Sequence, residues 1–367
     1  MTSLQIDLTI LVAYFTAMIG IGLAASRKQT SLNDYALGGR QMPWWAVLAS
    51  ILAAEISAAT FLGAPGEGYE LRNFTYAQLA LGTILARLLV SWIFIKPYYQ
   101  YGVVSIYEFL EKRFGPRSRQ AASAVFLITR ALASGTRLYV AAIVLVLGYE
   151  IYTGAHPGPL VELGIYLLAL FVLVALTAVY TAVGGIKAVV WTDVIQACVM
   201  FSGLGFVIWH LLKSIPGGLP TLHGMLQQPG DLSFWSLGPY FPDKPWATLK
   251  AVFETEYTVW TAFFAATFVT MATHGTDQDM VQRMLTAKNP AKSRLALVAS
   301  GLADLPIVFA FLAIGILLWV HYQRNPDPHL PERNAHVFAY YILSQLPPGL
   351  RGLLIAGVFA TAMGSLS

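Results

Sequence analysis

Charge is what this chain most lacks. Only 11% of its 367 residues are Asp, Glu, Lys or Arg, whereas 56% are hydrophobic; soluble domains carry about a quarter charged residues. So little charge cannot cover a water-facing surface, which argues against a soluble globule and makes a lipid bilayer the expected partner. The net charge of +4 is small and the basic residues are dispersed over loops, so no nucleic-acid partner is expected. The single cysteine, Cys198, has no intrachain partner. The seven histidines, at 156, 210, 223, 274, 321, 329 and 336, show no ligand spacing. With no nucleophile and base at useful spacing either, an enzyme is not expected. No basic amino-terminal region precedes the first apolar run, where Asp7 stands instead, so a cleavable signal is not expected.

Long apolar runs are abundant. Nine can cross about 30 Å of hydrocarbon, at 8–26, 44–64, 75–95, 121–148, 159–182, 189–212, 256–273, 295–320 and 350–367. Ser105 to Phe114 has amphipathic helical spacing behind a capping serine and is expected to lie along the interface. The stretch 214–250 is rich in Pro and Gly and belongs outside the bilayer. If the first run enters from outside, thirteen Lys and Arg fall on the cytoplasmic side and seven on the other, which places the amino terminus outside.

Ionisable residues inside the runs are the informative exceptions. The second run reads Leu52-Ala-Ala-Glu-Ile-Ser-Ala-Ala-Thr60, then Gly63, Pro65, Gly66 and Gly68. A carboxylate at bilayer depth is costly and marks an ion or solute path, and small residues beside it let a helix break and present carbonyls to a cation. Arg87, Arg130, Arg137, Asp193 and Asp304 also fall in or at the edge of runs, and helix-to-helix pairing is the plain expectation for Arg87 and Asp304. Arg137 is open to two readings: pairing with a helix partner such as Glu55, or clamping a solute carboxylate through its planar fork.

Five stretches carry a family resemblance along the chain. They are "SLNDYALGGRQMPWW" from Ser31 to Trp45, the interrupted second run, "IYEFLEKRFG" from Ile106, "GGIKAVVWTDVIQ" from Gly184 and "TDQDMVQRMLTAK" from Thr276. In that order they resemble the sodium:solute symporter family. The resemblance implies an all-α polytopic membrane protein with two inverted five-helix repeats of the LeuT-like kind and one extra amino-terminal helix. Mapped here, the extra helix is 8–26, the first repeat 44–212, and the second repeat begins at 256 and stays incomplete at 367, as expected of a carboxyl-terminally truncated chain.

The resemblance also implies sodium as the coupling ion, with no cofactor. Sodium prefers oxygen ligands, and the family's site maps onto the carbonyls of Ala53, Ile56 and Thr361, the position of Gly364 and the hydroxyl of Ser365. Many members have serine where this chain has Gly364, so one ligand oxygen is missing. Asp193 and Ser367 map to the sodium route or a second site. Asp193 also reads as an acid at a helix amino terminus. For the solute, the corresponding positions are Glu55, Ser57, Thr60, Phe74, Gln78, Arg137, Thr270 and His274, with Thr273 beside them. Ser57, Thr60, Phe74 and Gln78 resemble the pocket of the family's sialic-acid symporters, which implies an organic anion or acidic sugar. A neutral sugar is the alternative, and a transporter-like sensor module of a signalling protein is the alternative from another class.

Overall fold

The computed structural model describes residues 2–26, 31–364 and 366. All the longer elements among them are helices, and the one β-type contact is an isolated bridge between Met42 and Ala287. A helix satisfies its own backbone groups, which hydrocarbon cannot do for it. Helix α1 (Ser3–Ser26) turns Leu4, Leu8, Val12 and Leu23 outward, as a helix facing acyl chains does. The short α2 (Leu32–Leu37) is capped by Ser31, whose Oγ accepts the Asp34 N–H at 3.1 Å.

The second apolar run is broken, as its composition suggests. Helix α3 (Trp44–Glu55) and α4 (Ala58–Leu71) meet at 70°. The cause is local: Ser57 takes extended angles (φ −82°, ψ 166°) and its Oγ caps α4 by accepting the Thr60 N–H at 3.2 Å. A 3-10 turn over Thr75–Gln78 leads into α5 (Leu79–Ile93), which α6 (Ile95–Gln100) follows. Next comes α7 (Ile106–Phe114), where Ser105 Oγ accepts the Glu108 N–H and Glu108 Oε2 accepts the Val104 N–H at 2.9 Å, a reciprocal cap. Burial pushes the Glu108 carboxyl up, but that N–H and Lys112 outweigh it and hold it below the usual range.

The 38 residues of α8 (Pro116–Thr153) exceed a bilayer span, so its first turns extend beyond the hydrocarbon. At 56 residues α9 (Pro159–Ser214) would be about 84 Å long if straight. It is instead broken at Gly185, whose φ of 56° and ψ of −162° suit glycine alone, so two of the nine expected segments form its two arms. The stretch beyond carries α10 (Gly218–Met225) and α11 (Pro245–Glu254). The run from 256 is interrupted: the stub α12 (Val259–Thr261), a π-helical turn over Ala262–Ala266, then α13 (Thr267–Gly275). Gly82 of α5 packs on this turn so closely that a β-carbon there would overlap the Ala262 carbonyl.

The connector helix α14 (Gln278–Leu285) starts at Asp277, whose Oδ1 accepts the Asp279 N–H at 2.9 Å. The rest is α15 (Pro290–Arg324), α16 (Asn334–Gln345) and α17 (Leu350–Gly364). Among the described residues five helices are long and apolar enough to cross a membrane, and the bent pair makes a sixth. Helix α16 was not among the expected segments. Twelve residues cannot span, and Val337 to Leu343 are buried because the helix seats on α4, where Gly66 lets the Ala335 backbone approach. One buried cluster centres on Phe61, Phe311, Phe338 and Tyr341, and a second on Ile51, Val90, Tyr98, Val189 and Met284. The break between α3 and α4 touches both.

Candidate ion and solute site

Ending α3 at Glu55 leaves the last carbonyls of the helix, beyond that of Leu52, without helical donors. Ile56 (φ −74°, ψ 98°) carries the chain out of the helix, and Ala53 and Ile56 are both buried. Across from them runs the end of α17. A β-carbon on Gly364 would lie 3.0 Å from the Ala53 carbonyl oxygen and 3.2 Å from Gln196 Oε1, so the helix end, the break and α9 converge there. Thr361, one turn earlier, is buried, and its hydroxyl donates to the Val358 carbonyl at 2.7 Å. Ser365 and Ser367 lie outside the described residues.

Gln196 is the residue that sequence reasoning passed over. It is 2% exposed, and neither Oε1 nor Nε2 has a hydrogen-bond partner. A buried carboxamide left unpaired is unfavourable by about 1–3 kcal/mol unless something occupies it. Its spacing from Asp193 was the available signal, since residues three apart share a helix face. Asp193 is fully buried: Oδ2 accepts the Ser50 hydroxyl at 2.5 Å and the Arg283 Nε–H at 3.3 Å, while Oδ1 has no hydrogen-bond partner.

Arg283 closes this end of the site. The sequence reading counted it as a cytoplasmic loop charge, yet it is 1% exposed. From α14 it reaches Ser50 of α3, Asp193 of α9 and the Gly364 carbonyl of α17, the last at 3.3 Å. Asp279 pairs with Arg283 and, at 2.8 Å, with Arg130 of α8. Burial pushes the Asp279 carboxyl up, but the two guanidiniums outweigh it and hold it below the usual range. One plug of charge thus ties five elements together beneath the α3–α4 break.

On the other side of the break the solute candidates group unevenly. Glu55 pairs with Arg87, so the suggested pairing with Arg137 is corrected: the partner sits on α5, not α8. His274 Nε2 lies 3.5 Å from Arg87 Nη2 and 3.9 Å from Glu55. Facing a guanidinium, that nitrogen serves as an acceptor, and Nδ1 meets Thr273 Oγ1 at 3.0 Å. Asp304 of α15 stands 3.8 Å from Arg87. Thr270 is buried one turn before His274. Ser57 and Thr60 hydroxyls touch at 3.2 Å, and Thr60 lines an open cavity of about 570 Å³ with Gly63, Glu67, Tyr76 and Asn334.

Phe74 and Gln78 are engaged elsewhere. Phe74 packs its ring 5.0 Å from Phe309 and donates its N–H to the Ser233 carbonyl. Gln78 is fully buried, with Nε2 donating to the Thr75 and Tyr257 carbonyls and Oε1 accepting the Ser236 N–H. Both hold the 228–258 loop against α5. Arg137 stands apart from Glu55 and His274, and the charges that act on it are Arg130, Asp279 and Asp277.

Known proteins resemble this chain along most of its length. Residues 35–367 match the sodium:solute symporter family model. The chain is 28% identical to the sodium/sialic acid symporter NanT of Aliivibrio fischeri, over 97% of this chain and 66% of the relative. It is 30% identical to the human sodium/iodide cotransporter, over 95% of this chain and 51% of that one. Among solved structures, a substrate-bound outward-open state of a Na+-coupled sialic acid symporter superposes with a TM-score of 0.81 at 26% identity, covering 98% of this chain and 71% of that one. This chain therefore spans about two thirds of the bacterial relative's length and about half of the human one's.

Proposed function

This chain belongs to the sodium:solute symporter family, and from that premise we propose that it forms the ion- and solute-binding part of a sodium-coupled importer working by alternating access. The observation that carries this reading is the convergence of the Ala53 carbonyl, the Gly364 position and the unpaired Gln196 carboxamide at the α3–α4 break. Carbonyls of Ala53, Ile56 and Thr361 with the hydroxyl of Ser365 would supply hard oxygen ligands without a formal charge, which suits a monovalent cation. Gln196 Oε1 stands where the absent serine hydroxyl at Gly364 would have contributed. Asp193, held by Arg283, would receive the ion on its inward route once α14 releases it.

The solute would bind above the break, among Glu55, Ser57, Thr60, Thr270 and His274. Its class is inferred from the sialic acid symporters above: an organic anion or acidic sugar. Arg137 remains a candidate clamp only if α8 moves during the cycle. The arrangement proposed is α1 as an extra helix, a first repeat over 44–212 and a second beginning at 256, in a cell membrane with the amino terminus outside.

Uptake of sialic acid, a neutral sugar, an iodide salt and a monocarboxylate by the full-length protein, with and without a sodium gradient, tests the reading. Sodium-stimulated accumulation of the acid supports it. Accumulation that ignores sodium for every solute in the panel would overturn it.

A further inference from the structure

The carboxylates above the break outnumber the cation that faces them. Arg87 is fully buried among Glu55 of α3 and Asp304 of α15, with His274 of α13 behind and Tyr76, from the turn before α5, alongside. Glu67 of α4 lines the open cavity together with Tyr76. One guanidinium compensates one carboxylate, and its Nη2 is committed to Glu55. Nη1 and Nε have no hydrogen-bond partner, although Asp304 Oδ2 is only 3.8 Å from Nη1. An ionised carboxylate so near a bare guanidinium donor, away from water, closes to about 2.8 Å. This one stands off.

What Asp304 touches instead is the Thr83 hydroxyl, at 3.2 Å. That hydroxyl also lies 3.0 Å from the Ala80 carbonyl, which can only accept. A hydroxyl has one hydrogen. If Thr83 gives it to Ala80, the contact with Asp304 is a hydrogen bond only when Asp304 carries a proton and donates it to Thr83 Oγ1. With that hydrogen on the nearer Ala80 carbonyl, the donor count reaches the same protonation state as the charge count.

We propose that Asp304 is a proton-binding site, occupied at neutral pH, in which Thr83 accepts the acid hydrogen and the Glu55–Arg87 pair supplies the surrounding charge. Protonated, the trio of Glu55, Arg87 and Asp304 is neutral overall. Deprotonated, it places a further negative charge beside the solute candidates, so binding of an organic anion falls in alkaline medium; this consequence rests on the transport reading above. Tyr76, within electrostatic reach of Asp304, also lines the open cavity beside Thr60.

Infrared difference spectroscopy of the full-length protein in lipid, across a jump from about pH 5 to about pH 9, reads the site directly. A protonated-carboxyl band that persists at neutral pH in the parent protein and is lost in Asp304→Asn is expected. Glu55→Gln frees Arg87 for Asp304 and should lower the pH at which the band disappears by about one unit or more, a tenfold loss of proton affinity. A band that survives Asp304→Asn, or one absent from the parent at neutral pH, overturns the assignment; so does a midpoint unmoved by Glu55→Gln, which also serves if Asp304→Asn fails to fold. Absence of sodium-driven uptake in the parent sinks the transport reading while leaving this result standing.

Discussion

At the residue scale, the strongest constraint comes from polar groups held out of water. Gln196 keeps two unpaired polar atoms in a 2% exposed side chain, and an amide oxygen bonded to a charged partner contributes about 1.5–3 kcal/mol. Gln196→Leu in the full-length protein should therefore raise the sodium concentration for half-maximal uptake roughly tenfold or more, with solute preference unchanged. Sodium titration of uptake measures this, and an unshifted midpoint removes Gln196 from the site. Arg87 makes a different kind of demand. Arg87→Gln leaves the part-buried Glu55 without its guanidinium and next to Asp304, and should lower stability by about 1–3 kcal/mol, whereas the double change with Glu55→Gln should recover most of the loss. Thermal unfolding in detergent compares the three, and a double variant no better than the single would mean that the pair is not coupled.

At the element scale, helices approach through glycine. Gly68 of α4 and Gly315 of α15 face each other's backbones so closely that a methyl on Gly315 would overlap the Pro65 carbonyl, and one on Gly68 the Leu312 carbonyl. Without a hydrophobic drive between helices inside lipid, close packing of small residues is what holds them. Gly315→Ala should force α15 away from α4, which carries Thr60, and cut the folded yield severely; Gly63→Ala, where a β-carbon meets nothing within 4 Å, should leave yield near normal. Size-exclusion recovery of the two variants is the measurement, and equal recovery would contradict the packing argument. The α3–α4 break was legible beforehand because Glu55, Ser57 and the glycines that follow announce it. The π turn of 262–266 was not, since nothing in Ala-Phe-Phe-Ala-Ala differs from an ordinary apolar helix; its companion Gly82 lies 180 residues away.

At the scale of the whole molecule, orientation is the open quantity, and the loop charges supply it. From thirteen basic residues against seven we propose that the connector after α14 faces inside. Lys288→Cys in the full-length protein should resist an impermeant thiol reagent applied to intact cells and react once the membrane is opened. Labelling of that cysteine from outside would invert the topology. Cys198 is exposed on α9 and must be removed first, or its reaction would obscure the result.

Composition and run length determined that this is a helical membrane protein, because a bilayer admits few other solutions. Local residues were also enough for the Ser105 cap, the break at Ser57 and the sharp glycine at 185, each of which depends only on near neighbours. What the tertiary structure decided was pairing across the fold: that Glu55 belongs to Arg87 rather than Arg137, that Arg283 turns inward to Asp193, Ser50 and Gly364, and that Gln78 is spent on the 228–258 loop. A buried charge requires a partner, but any helix that packs beside it can supply one, and which helix does so is set by three-dimensional packing rather than by spacing along the chain.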